Sequence, residues 1–411
     1  MRIAIATAVY YPMINGVAVF SHNLAVGLVR RGHDVLVLCP SQTGKNYAKV
    51  IDGVKTYYLK SMEAKVYPDQ IHDVPVRKKK LGIEWPRLWY RHGFRVSVFP
   101  KREIQKILDD FRPDVVHVQV SDPIGLSVVS YARKHGVPVV TTEHNQPEVL
   151  TEPLHVPSIM KRPINVMLSA YFANRQSKSD FVTMPTKKAI YELLDGRDFK
   201  VPVAAVSNGV DLSHFKPGRA PREAYRKYGL NPDFKTLLNL GRLDPEKNVG
   251  AVTDAFIAAD ISEAQLVIVG DGVDKARLMK KAAGHPEIHF LGRIVPPDLY
   301  EAYRLGDVFV TASEIETQGI VLIEAAACGL PLIAVDGGAV AEVCINDENG
   351  ILCQPGNTKQ MAEAMKKLLS DDDFRKKCSE ESLKIAAGHD FEKTLDQFIN
   401  IYKKVQEKRT S

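Results

Sequence analysis

The residues best suited to chemistry lie in the segment from Thr311 to Gly329, where an apolar strand leads into an apolar, alanine-rich helix. Glu316 lies in the polar turn between these two elements, and Glu324 lies eight residues later, inside the predicted helix. Because an α-helix completes a turn in about 3.6 residues, two carboxylates at this spacing can line one cleft at different depths. Burying a carboxylate among apolar residues is costly unless it is hydrogen-bonded, and the hydroxyl of a sugar could supply that bond.

The turn before this helix has the features of a ligand site. Parallel α/β sheets bind their ligands at strand-to-helix turns, outside the carboxyl ends of the strands. The predicted helix begins near Gly319, so its first N–H groups point at whatever the turn binds. The alternative is that Glu316 only caps the helix N-terminus, where acids are favoured, while Glu324 pairs with a surface lysine.

Two cations, Arg242 and Lys247, follow the first predicted strand of the second half of the chain. Arginine offers a fork of donors and lysine a mobile point charge, a combination that suits a diphosphate. The alternative is a salt-bridged surface turn with Asp244 and Glu246. The Asp-x-Asp string at residues 371–373 is interpreted as an acidic helix N-terminus, so we predict that side chains and helix dipoles neutralise the phosphates without a bound metal.

The first half of the chain offers two further candidates. Asn15-Gly16 stands where a helix follows the first predicted strand, and glycine there lets a phosphate approach the helix N-terminus; a plain turn is the alternative. His144 follows a predicted strand and is placed to reach into an interdomain cleft, with a structural role as the alternative. His117 lies inside its strand and is interpreted as structural.

Strand and helix signals alternate along the chain, which predicts an α/β protein with parallel sheets and right-handed βαβ units. The sequence contains neither a G-x-G-x-x-G string nor a Walker A lysine, which argues against a dinucleotide-dependent dehydrogenase and against an ATPase. The predicted strands are residues 3–7, 35–39, 115–120, 137–142, 181–183, 201–206, 237–240, 265–269, 288–291, 308–311 and 331–335.

The length of 411 residues suggests two domains. The polar segment from Ser213 to Phe234 contains three prolines and is interpreted as the linker between them. We therefore place the first domain at residues 1–212 and the second at residues 213–389. Residues 390–411 carry an apolar stripe at helical spacing, and we expect this helix to dock back on the first domain.

The composition, with 45% hydrophobic and 25% charged residues, is ordinary for a soluble globular protein. Because a strand begins at the second residue and no apolar run reaches about 18 residues, we expect neither a signal peptide nor a membrane span. Five cysteines, an odd number without a C-x-x-C pair, predict reduced, buried thiols in a cytoplasmic protein.

Residues 77–102 differ from the rest of the chain because they contain nine basic residues, both tryptophans and a single acid, Glu84. Basic residues interleaved with aromatic residues suit the interface of an anionic membrane. The alternatives are a solvated basic loop whose aromatics pack inward, and a nucleic-acid site. No nucleic-acid motif accompanies the stretch, so we expect a membrane surface and no nucleic acid as partner.

Several motifs recur in a characteristic order: INGV at residues 14–17, SNGVD at 207–211, GRLDPEKN at 241–248, VGDG at 269–272, FLGR at 290–293, and the two glutamates. On these motifs the whole sequence resembles the retaining GT-B glycosyltransferases of family 4 (group 1). The resemblance implies two Rossmann-like α/β domains whose parallel sheets face a central cleft. It also implies a nucleotide sugar bound mainly to the second domain, and metal-independent transfer with retention at the anomeric carbon.

The same resemblance implies roles for backbone groups. Asn15, Gly16 and the helix after them would face the donor phosphates. The backbone at Gly319 and Ile320 would support the hydroxyls of the donor sugar or its phosphate. The backbone at Ile294 would hold the base.

It also implies roles for side chains. Arg242 and Lys247 would hold the diphosphate and stabilise the leaving group. Glu324 would bind the ribose hydroxyls, Glu316 would face the donor sugar, and His144 would contact the sugar and the reaction centre. No second carboxylate is placed as the nucleophile of a double displacement, which favours front-face attack by the acceptor hydroxyl, with the leaving phosphate accepting its proton.

The common family turn reads EGFG, whereas residues 316–319 read ETQG, so no role is carried over for Thr317 and Gln318. ETQG together with INGV resembles the diacylglycerol glucosyltransferase branch. This implies a peripheral enzyme at the inner face of the cell membrane that moves glucose, or a similar hexose, from a UDP-sugar such as UDP-glucose to a lipid such as diacylglycerol, with no further cofactor. The alternatives are a soluble sugar or polyol acceptor, and a non-catalytic nucleotide-sugar-binding partner protein.

Overall fold

The computed structural model describes residues 1–13, 15–63, 95–120, 122–144, 158–194 and 197–410. The chain forms two compact units. The first contains residues 1–206 and the C-terminal residues from Leu395 onward, and the second contains residues 207–394. The chain thus passes from one unit to the other after residues 206 and 394, whereas the sequence suggests boundaries after residues 212 and 389.

The described part of the first unit has strands β1 (Arg2–Ala6), β2 (Asp34–Pro40), β3 (Tyr47–Ile51), β4 (Val54–Leu59), β5 (Ser61–Glu63), β6 (Arg95–Ser97), β7 (Val115–Val118), β8 (Val139–Thr142), β9 (Phe181–Met184) and β10 (Val203–Ala205). Its helices before residue 206 are α1 (Gly16–Arg30), α2 (Lys101–Phe111), α3 (Pro123–His135), α4 (Ser158–Gln176) and α5 (Lys187–Leu194).

The second unit has strands β11 (Lys235–Leu240), β12 (Ala264–Val269), β13 (Ile288–Gly292), β14 (Val308–Val310), β15 (Leu332–Val335) and β16 (Gly350–Cys353). Its helices are α6 (Arg222–Lys227), α7 (Val249–Ala259), α8 (Lys275–Lys281), α9 (Asp298–Tyr303), α10 (Ile320–Ala327), α11 (Thr358–Ser370) and α12 (Asp372–Gly388). The last helix, α13 (Phe391–Thr410), begins in the second unit and continues in the first.

The main sheet of the first unit has the strand order β10-β9-β8-β7-β1-β2-β4-β3 among the described residues. Its strands are parallel except β3, which runs antiparallel to β4 at the edge. The order reverses at β1, because the chain first builds outward through β2 and later returns to add β7 on the other side. The sequence did not indicate β3, whose three central residues are exposed, as suits an edge strand.

The sheet of the second unit has the order β13-β12-β11-β14-β15-β16, and every neighbouring pair is parallel. Strands of a parallel sheet are covered by helices on both faces and therefore read as continuous apolar runs. β12 follows this rule, since all six of its residues are buried. The order reverses between β11 and β14, which makes the gap between these two strands the topological switch point of the sheet.

The interpretation of residues 213–234 as a linker is wrong. Phe215, Tyr225 and Leu230 are buried in the core of the second unit, and the hydroxyl of Tyr225 donates to the carbonyl oxygen of Leu305 at 3.1 Å. The prolines of this segment mark turns around the short helix α6. Composition alone does not separate such a turn-rich segment from a linker, because its few apolar residues are enough to fix it to a core.

The apolar stripe of α13 packs in the first unit, as the sequence led us to expect. Leu395, Phe398 and Tyr402 are all fully buried there. A Cβ atom at Gly27 of α1 would lie 2.7 Å from the side chain of Leu395, so the absence of a side chain at this position lets the two helices approach. Arg409 adds an ion pair with Asp180 at 3.0 Å.

Residues 77–94 of the basic, aromatic stretch lie outside the described residues. Of its remainder, Arg95 donates to Ser61 in the neighbouring strand at 3.0 Å, and the ring of Phe99 is 93% exposed. Within the described ranges, no helix is both long enough and apolar enough to cross a bilayer. The five cysteines are buried free thiols, as predicted: Cys39, Cys328, Cys344, Cys353 and Cys378.

Candidate functional site

Four predicted site residues of the second unit lie in the segments that follow its strands, and because the strands are all parallel these segments leave the sheet on one side. Arg242 and Lys247 follow β11, Ile294 follows β13, and Glu316 follows β14. Since the sheet order reverses between β11 and β14, the loops after these strands border the crevice in which open α/β sheets bind ligands.

Lys247 and Glu316 form an ion pair across this switch point. The Nζ atom of Lys247 lies 2.6 Å from Oε1 of Glu316 and 3.5 Å from the hydroxyl of Ser313. The two charged side chains are only 22% and 15% exposed, so the pair is held in a partly desolvated environment where charge interactions are stronger than in water. The structure therefore joins two residues that the sequence presented as separate candidates.

Arg242 adopts the salt-bridged arrangement that the sequence left as an alternative. Its guanidinium donates to the carboxylate of Asp244 and, at 2.6 Å, to that of Glu246. Asp244 is buried, and its other oxygen accepts the N–H of Val273 at 3.2 Å. These acids orient the guanidinium and leave it further N–H donors for a ligand, since a guanidinium has more donors than the two bonds use.

Close backbone contacts support the loop that carries Arg242. A Cβ atom at Gly270 would lie 1.8 Å from the carbonyl oxygen of Gly241, and one at Gly272 would lie 2.3 Å from that of Leu243. Only glycine allows this approach. The VGDG string, which the sequence offered as part of a family pattern, is therefore the support on which the cationic loop rests.

A second glycine pair, Gly337-Gly338 after β15, supports the turn around Glu316 and was missed in the sequence. Cβ atoms at these positions would lie 2.5 Å from the carbonyl oxygens of Glu314 and Glu316, respectively. The carbonyl oxygen of Glu316 also accepts the N–H of Ala339 at 2.8 Å. Two adjacent glycines one residue after an apolar strand are the sequence signal that could have found them.

Glu324 lies in α10, where its carboxylate accepts a hydrogen bond from the hydroxyl of Tyr303 at 2.5 Å. Burial raises the pKa of Glu324 to about 7, against the smaller opposing effect of the Tyr303 hydroxyl. No lysine pairs with Glu324 in the second unit, which the structure describes throughout. The surface-pair alternative is therefore wrong for this residue, because its position on α10 turns it toward the protein.

The start of α10 presents backbone N–H donors on the same side of the sheet as the Lys247–Glu316 pair. Gly319 caps the helix, and the N–H groups of Gly319 and Ile320 find no hydrogen-bond acceptor among the described residues. Gln318 is buried beside them, donating to the hydroxyl of Ser207 at 2.6 Å and accepting the N–H of Asn208 at 3.1 Å. The ETQG departure thus has a structural explanation, because Gln318 anchors the turn to the SNGVD loop.

The Asp-x-Asp string is a helix N-terminus, as predicted. Asp371 caps α12 by accepting the N–H of Phe374 at 2.9 Å, and the next two acids lie in the first helical turn. In the parts of the chain that the structure describes, no three His, Cys, Asp or Glu side chains come together as a possible metal site.

In the first unit, Asn15 and Gly16 form the start of α1. The side-chain oxygen of Asn15 accepts the N–H of Ala18 at 2.8 Å and caps the helix. Gly16 is the first helical residue and is exposed. With the asparagine engaged in the cap, the helix N-terminus itself is the part of this turn best suited to an anion.

His144 follows β8 and is only 8% exposed. Its Nε2 atom lies 2.8 Å from the side-chain oxygen of Gln119, and because that oxygen can only accept, Nε2 carries the proton. Burial lowers the pKa of His144 to about 4, so the ring is neutral at neutral pH. Gln119, which the sequence analysis missed, follows β7 and is tied to β1 through its N–H and the carbonyl oxygen of Ala6 at 2.8 Å.

His117 is structural, as its position inside β7 indicated. It is fully buried, with Nδ1 2.7 Å from the hydroxyl of Tyr402 on α13 and Nε2 2.7 Å from that of Thr142. Burial, together with the nearby His144, lowers the pKa of His117 to about 3. The side-chain nitrogen of Gln119 lies at nearly equal distances, 3.4 and 3.3 Å, from both ring nitrogens of His117, so this amide packs against the ring.

Comparison with known proteins identifies the family. Residues 14–214 match the model of Glycosyltransferase Family 4, and residues 222–384 match that of Glycosyl transferases group 1. A GDP-mannose-dependent alpha-mannosyltransferase from Mycolicibacterium smegmatis is 30% identical over 356 residues, covering 86% of this chain and 84% of the relative. The chain belongs to glycosyltransferase family 4. The family assignment drawn from the motif order is therefore confirmed.

Other relatives of this glycosyltransferase include two alpha-monoglucosyldiacylglycerol synthases. The one from Acholeplasma laidlawii is 27% identical and covers 81% of this chain and 80% of the relative. The one from Streptococcus pneumoniae is 26% identical and covers 97% of this chain and 85% of the relative.

Solved structures confirm the GT-B fold. A sucrose-phosphate synthase from Thermosynechococcus elongatus aligns with a TM-score of 0.74 at 16% identity, covering 98% of both chains. Anabaena HepE in complex with UDP aligns with a TM-score of 0.69 at 17% identity, covering 98% of this chain and 100% of that one. At these identities the likeness concerns the fold, two Rossmann-like units with parallel sheets.

We expect Gln119→Glu to raise the pKa of His144, because a carboxylate at 2.8 Å stabilises the protonated ring. The rise should be about 1 to 3 pH units, measured by NMR titration of the ring nitrogens. Gln119→Met has a similar length but no acceptor, so its His144 should stay neutral down to at least the pH of the wild-type transition. Identical titration of His144 in the Glu variant and the wild type would contradict the contact.

We expect Glu324→Gln to stabilise the protein at alkaline pH. Because the folded-state pKa of Glu324 is raised to about 7, the folded protein binds more protons than the unfolded chain, and stability falls as pH rises toward and through that value. Glutamine keeps a bond with Tyr303 but does not ionise. The variant should therefore have a Tm roughly 3 °C above wild type at about pH 8 and a similar Tm at about pH 5, by calorimetry. A Tm difference independent of pH would refute the burial argument.

Proposed function

We propose that this glycosyltransferase moves glucose, or a similar hexose, from a UDP-sugar to a lipid acceptor such as diacylglycerol at a membrane surface, with retention at the anomeric carbon and without a metal. The observation that carries the proposal is the Lys247–Glu316 pair at the sheet switch point, in a chain whose relatives include two alpha-monoglucosyldiacylglycerol synthases. UDP is bound by one of the similar solved structures, which supports the choice of nucleotide.

The donor diphosphate would accept hydrogen bonds from Lys247 and Arg242 and from the N–H groups of Gly319 and Ile320. In the structure, Glu316 neutralises the charge of Lys247, with 2.6 Å between Oε1 and Nζ. A phosphate oxygen that also bound Lys247 would weaken the contact between Lys247 and Glu316. The Glu316 carboxylate could then accept hydrogen bonds from hydroxyls of the donor sugar. Preorganised cations and N–H groups act on the charge that develops on the leaving diphosphate, where stabilisation accelerates the reaction.

The nucleoside would be held on the same side of the sheet, where the strands end, by Glu324 and by the backbone of Ile294. Glu324 would bind the ribose hydroxyls, for which its carboxylate is already oriented by Tyr303. Ile294 follows the edge strand β13, and its N–H and carbonyl oxygen make no backbone hydrogen bond in the described part of the chain, so both suit the edge of a base.

In the first unit, we assign contact with the donor sugar at the reacting carbon to His144. Asn15, Gly16 and the N-terminus of α1 would contact the phosphates. A neutral histidine with its proton on Nε2 offers a fixed tautomer and avoids placing a cation beside the positive charge that develops on the sugar.

The reaction would proceed by front-face attack. The acceptor hydroxyl oxygen forms the new bond to the anomeric carbon while the bond from that carbon to the phosphate oxygen breaks, and the released phosphate oxygen takes the hydroxyl proton. Glu316, the carboxylate that we assign to the donor sugar, is paired with Lys247, which suits a binding role better than that of a nucleophile.

A GDP-mannose donor is the second candidate, because the mycobacterial relative at 30% identity is named a GDP-mannose-dependent alpha-mannosyltransferase. In the first candidate the enzyme is cytoplasmic and peripheral at the inner face of the cell membrane, with anionic lipid as its surface. Nucleic acid has no part in either. A soluble acceptor and a non-catalytic partner role remain as the outcomes that the following test can return.

The test is a panel of UDP- and GDP-sugars incubated with diacylglycerol in vesicles or with soluble sugars and polyols, in the presence of EDTA. We expect UDP-glucose and diacylglycerol to give the fastest product, with an α linkage by NMR. Lys247→Ala should lower kcat/KM by about 10²-fold or more, as for the loss of one transition-state donor. Activity that vanishes with EDTA and returns with Mg²⁺, or a faster reaction with GDP-mannose or a soluble acceptor, would overturn the corresponding part of the proposal.

The two glutamates should separate in their effects. Glu324→Gln should weaken UDP binding, because its proposed partner is the ribose, which is part of UDP. Glu316→Gln should leave UDP affinity nearly unchanged and lower turnover, because its proposed partner is the sugar. Calorimetry with UDP and steady-state kinetics measure the two effects, and an equal loss of UDP affinity in both variants would refute this division of roles.

A further inference from the structure

Helix α4 presents an apolar face to solvent. At about 100° per residue, its exposed apolar residues fall on one arc. The most exposed of them are Met160 (51%), Val166 (43%), Met167 (63%) and Tyr171 (45%), and the exposed Pro163 and Ala170 fall on the same arc. A soluble protein rarely leaves such a continuous apolar surface uncovered, so this face is suited to a partner.

The opposite arc of α4 explains why the helix is fixed in this orientation. Phe172 is buried there and joins a small core with Met184, Ala189 and Leu193. The helix already has one packed side, and the exposed arc is additional.

The charged residues of α4 itself all have one sign. The sequence of α4 contains Lys161, Arg162 and Arg175 and no acidic residue. The guanidinium of Arg175 lies 5.0 Å from the ring centroid of Tyr171, at the border of the arc. On the neighbouring helix α5, Tyr191 is 75% exposed.

We propose that this face of α4 rests on an anionic lipid surface. Apolar side chains would enter the acyl boundary, while tyrosine rings and the heads of lysine and arginine would lie at the level of the lipid head groups. A second copy of the chain fits less well, because the protein has a net charge of +6 and two such faces would bring cations together. The inference rests on the proposed lipid acceptor, which requires the enzyme to reach a bilayer.

The experiment measures sedimentation of the full chain with vesicles of phosphatidylglycerol and phosphatidylcholine, without any nucleotide sugar. Met167→Glu should weaken vesicle binding roughly five- to tenfold, because an apolar side chain no longer enters the lipid. Met279→Glu is the matched control: it is an exposed methionine, at 51%, on helix α8 of the second unit, and it adds the same charge. Its binding should stay within about twofold of wild type.

Met167→Gln separates apolarity from charge, and it should also weaken binding. Equal binding of the two glutamate variants, wild-type binding by Met167→Gln, or absence of binding by the wild type would overturn the proposal. So would a wild-type dimer in vesicle-free solution that Met167→Glu dissociates, since that result would identify the partner as a second copy. Transfer only to a soluble acceptor, with vesicle binding intact, would contradict the proposed acceptor and leave this surface standing.

Discussion

The ion pair between Lys247 and Glu316 depends on a sheet in which every strand runs in the same direction. Parallel strands release their loops at one edge, and the reversal of strand order between β11 and β14 separates the two loops enough to form a crevice. The pair joins the two loops: Nζ of Lys247 lies 2.6 Å from Oε1 of Glu316, and both side chains are mostly buried. The two opposite charges compensate each other within the protein. The cation can still bind a phosphate group of a ligand, and the carboxylate can still bind its hydroxyl groups.

The loops around this pair can approach one another because they contain glycine where a side chain would collide. Gly270 and Gly272 lie against the loop of Arg242, and Gly337 and Gly338 lie against the turn of Glu316. The site is therefore fixed largely by backbone contacts, which do not change when side chains rotate. Glu324 adds a different feature, a partly buried carboxylate that is oriented by the Tyr303 hydroxyl.

In the first unit, two uncharged side chains likewise pair beside the reversal of strand order. Its sheet also reverses, at β1 and β7, and Gln119 at that reversal accepts the Nε2 proton of His144. Burial keeps the histidine uncharged. The helix α13 contributes to this arrangement from the far end of the sequence, because Tyr402 binds His117, against which the amide of Gln119 packs. The exposed face of α4 lies apart from this network and suits a surface rather than a small ligand.

The sequence by itself determined the α/β class, most of the strands, the family and the candidate residues, because parallel strands and ligand turns leave local signals in apolar runs and motif spacing. Only the tertiary structure decided that Lys247 binds Glu316, that Gln119 holds His144, and that residues 213–234 belong to a core rather than a linker. These are contacts between residues far apart in the chain. Their formation depends on strand order and backbone approach, which a local pattern of residue types does not encode.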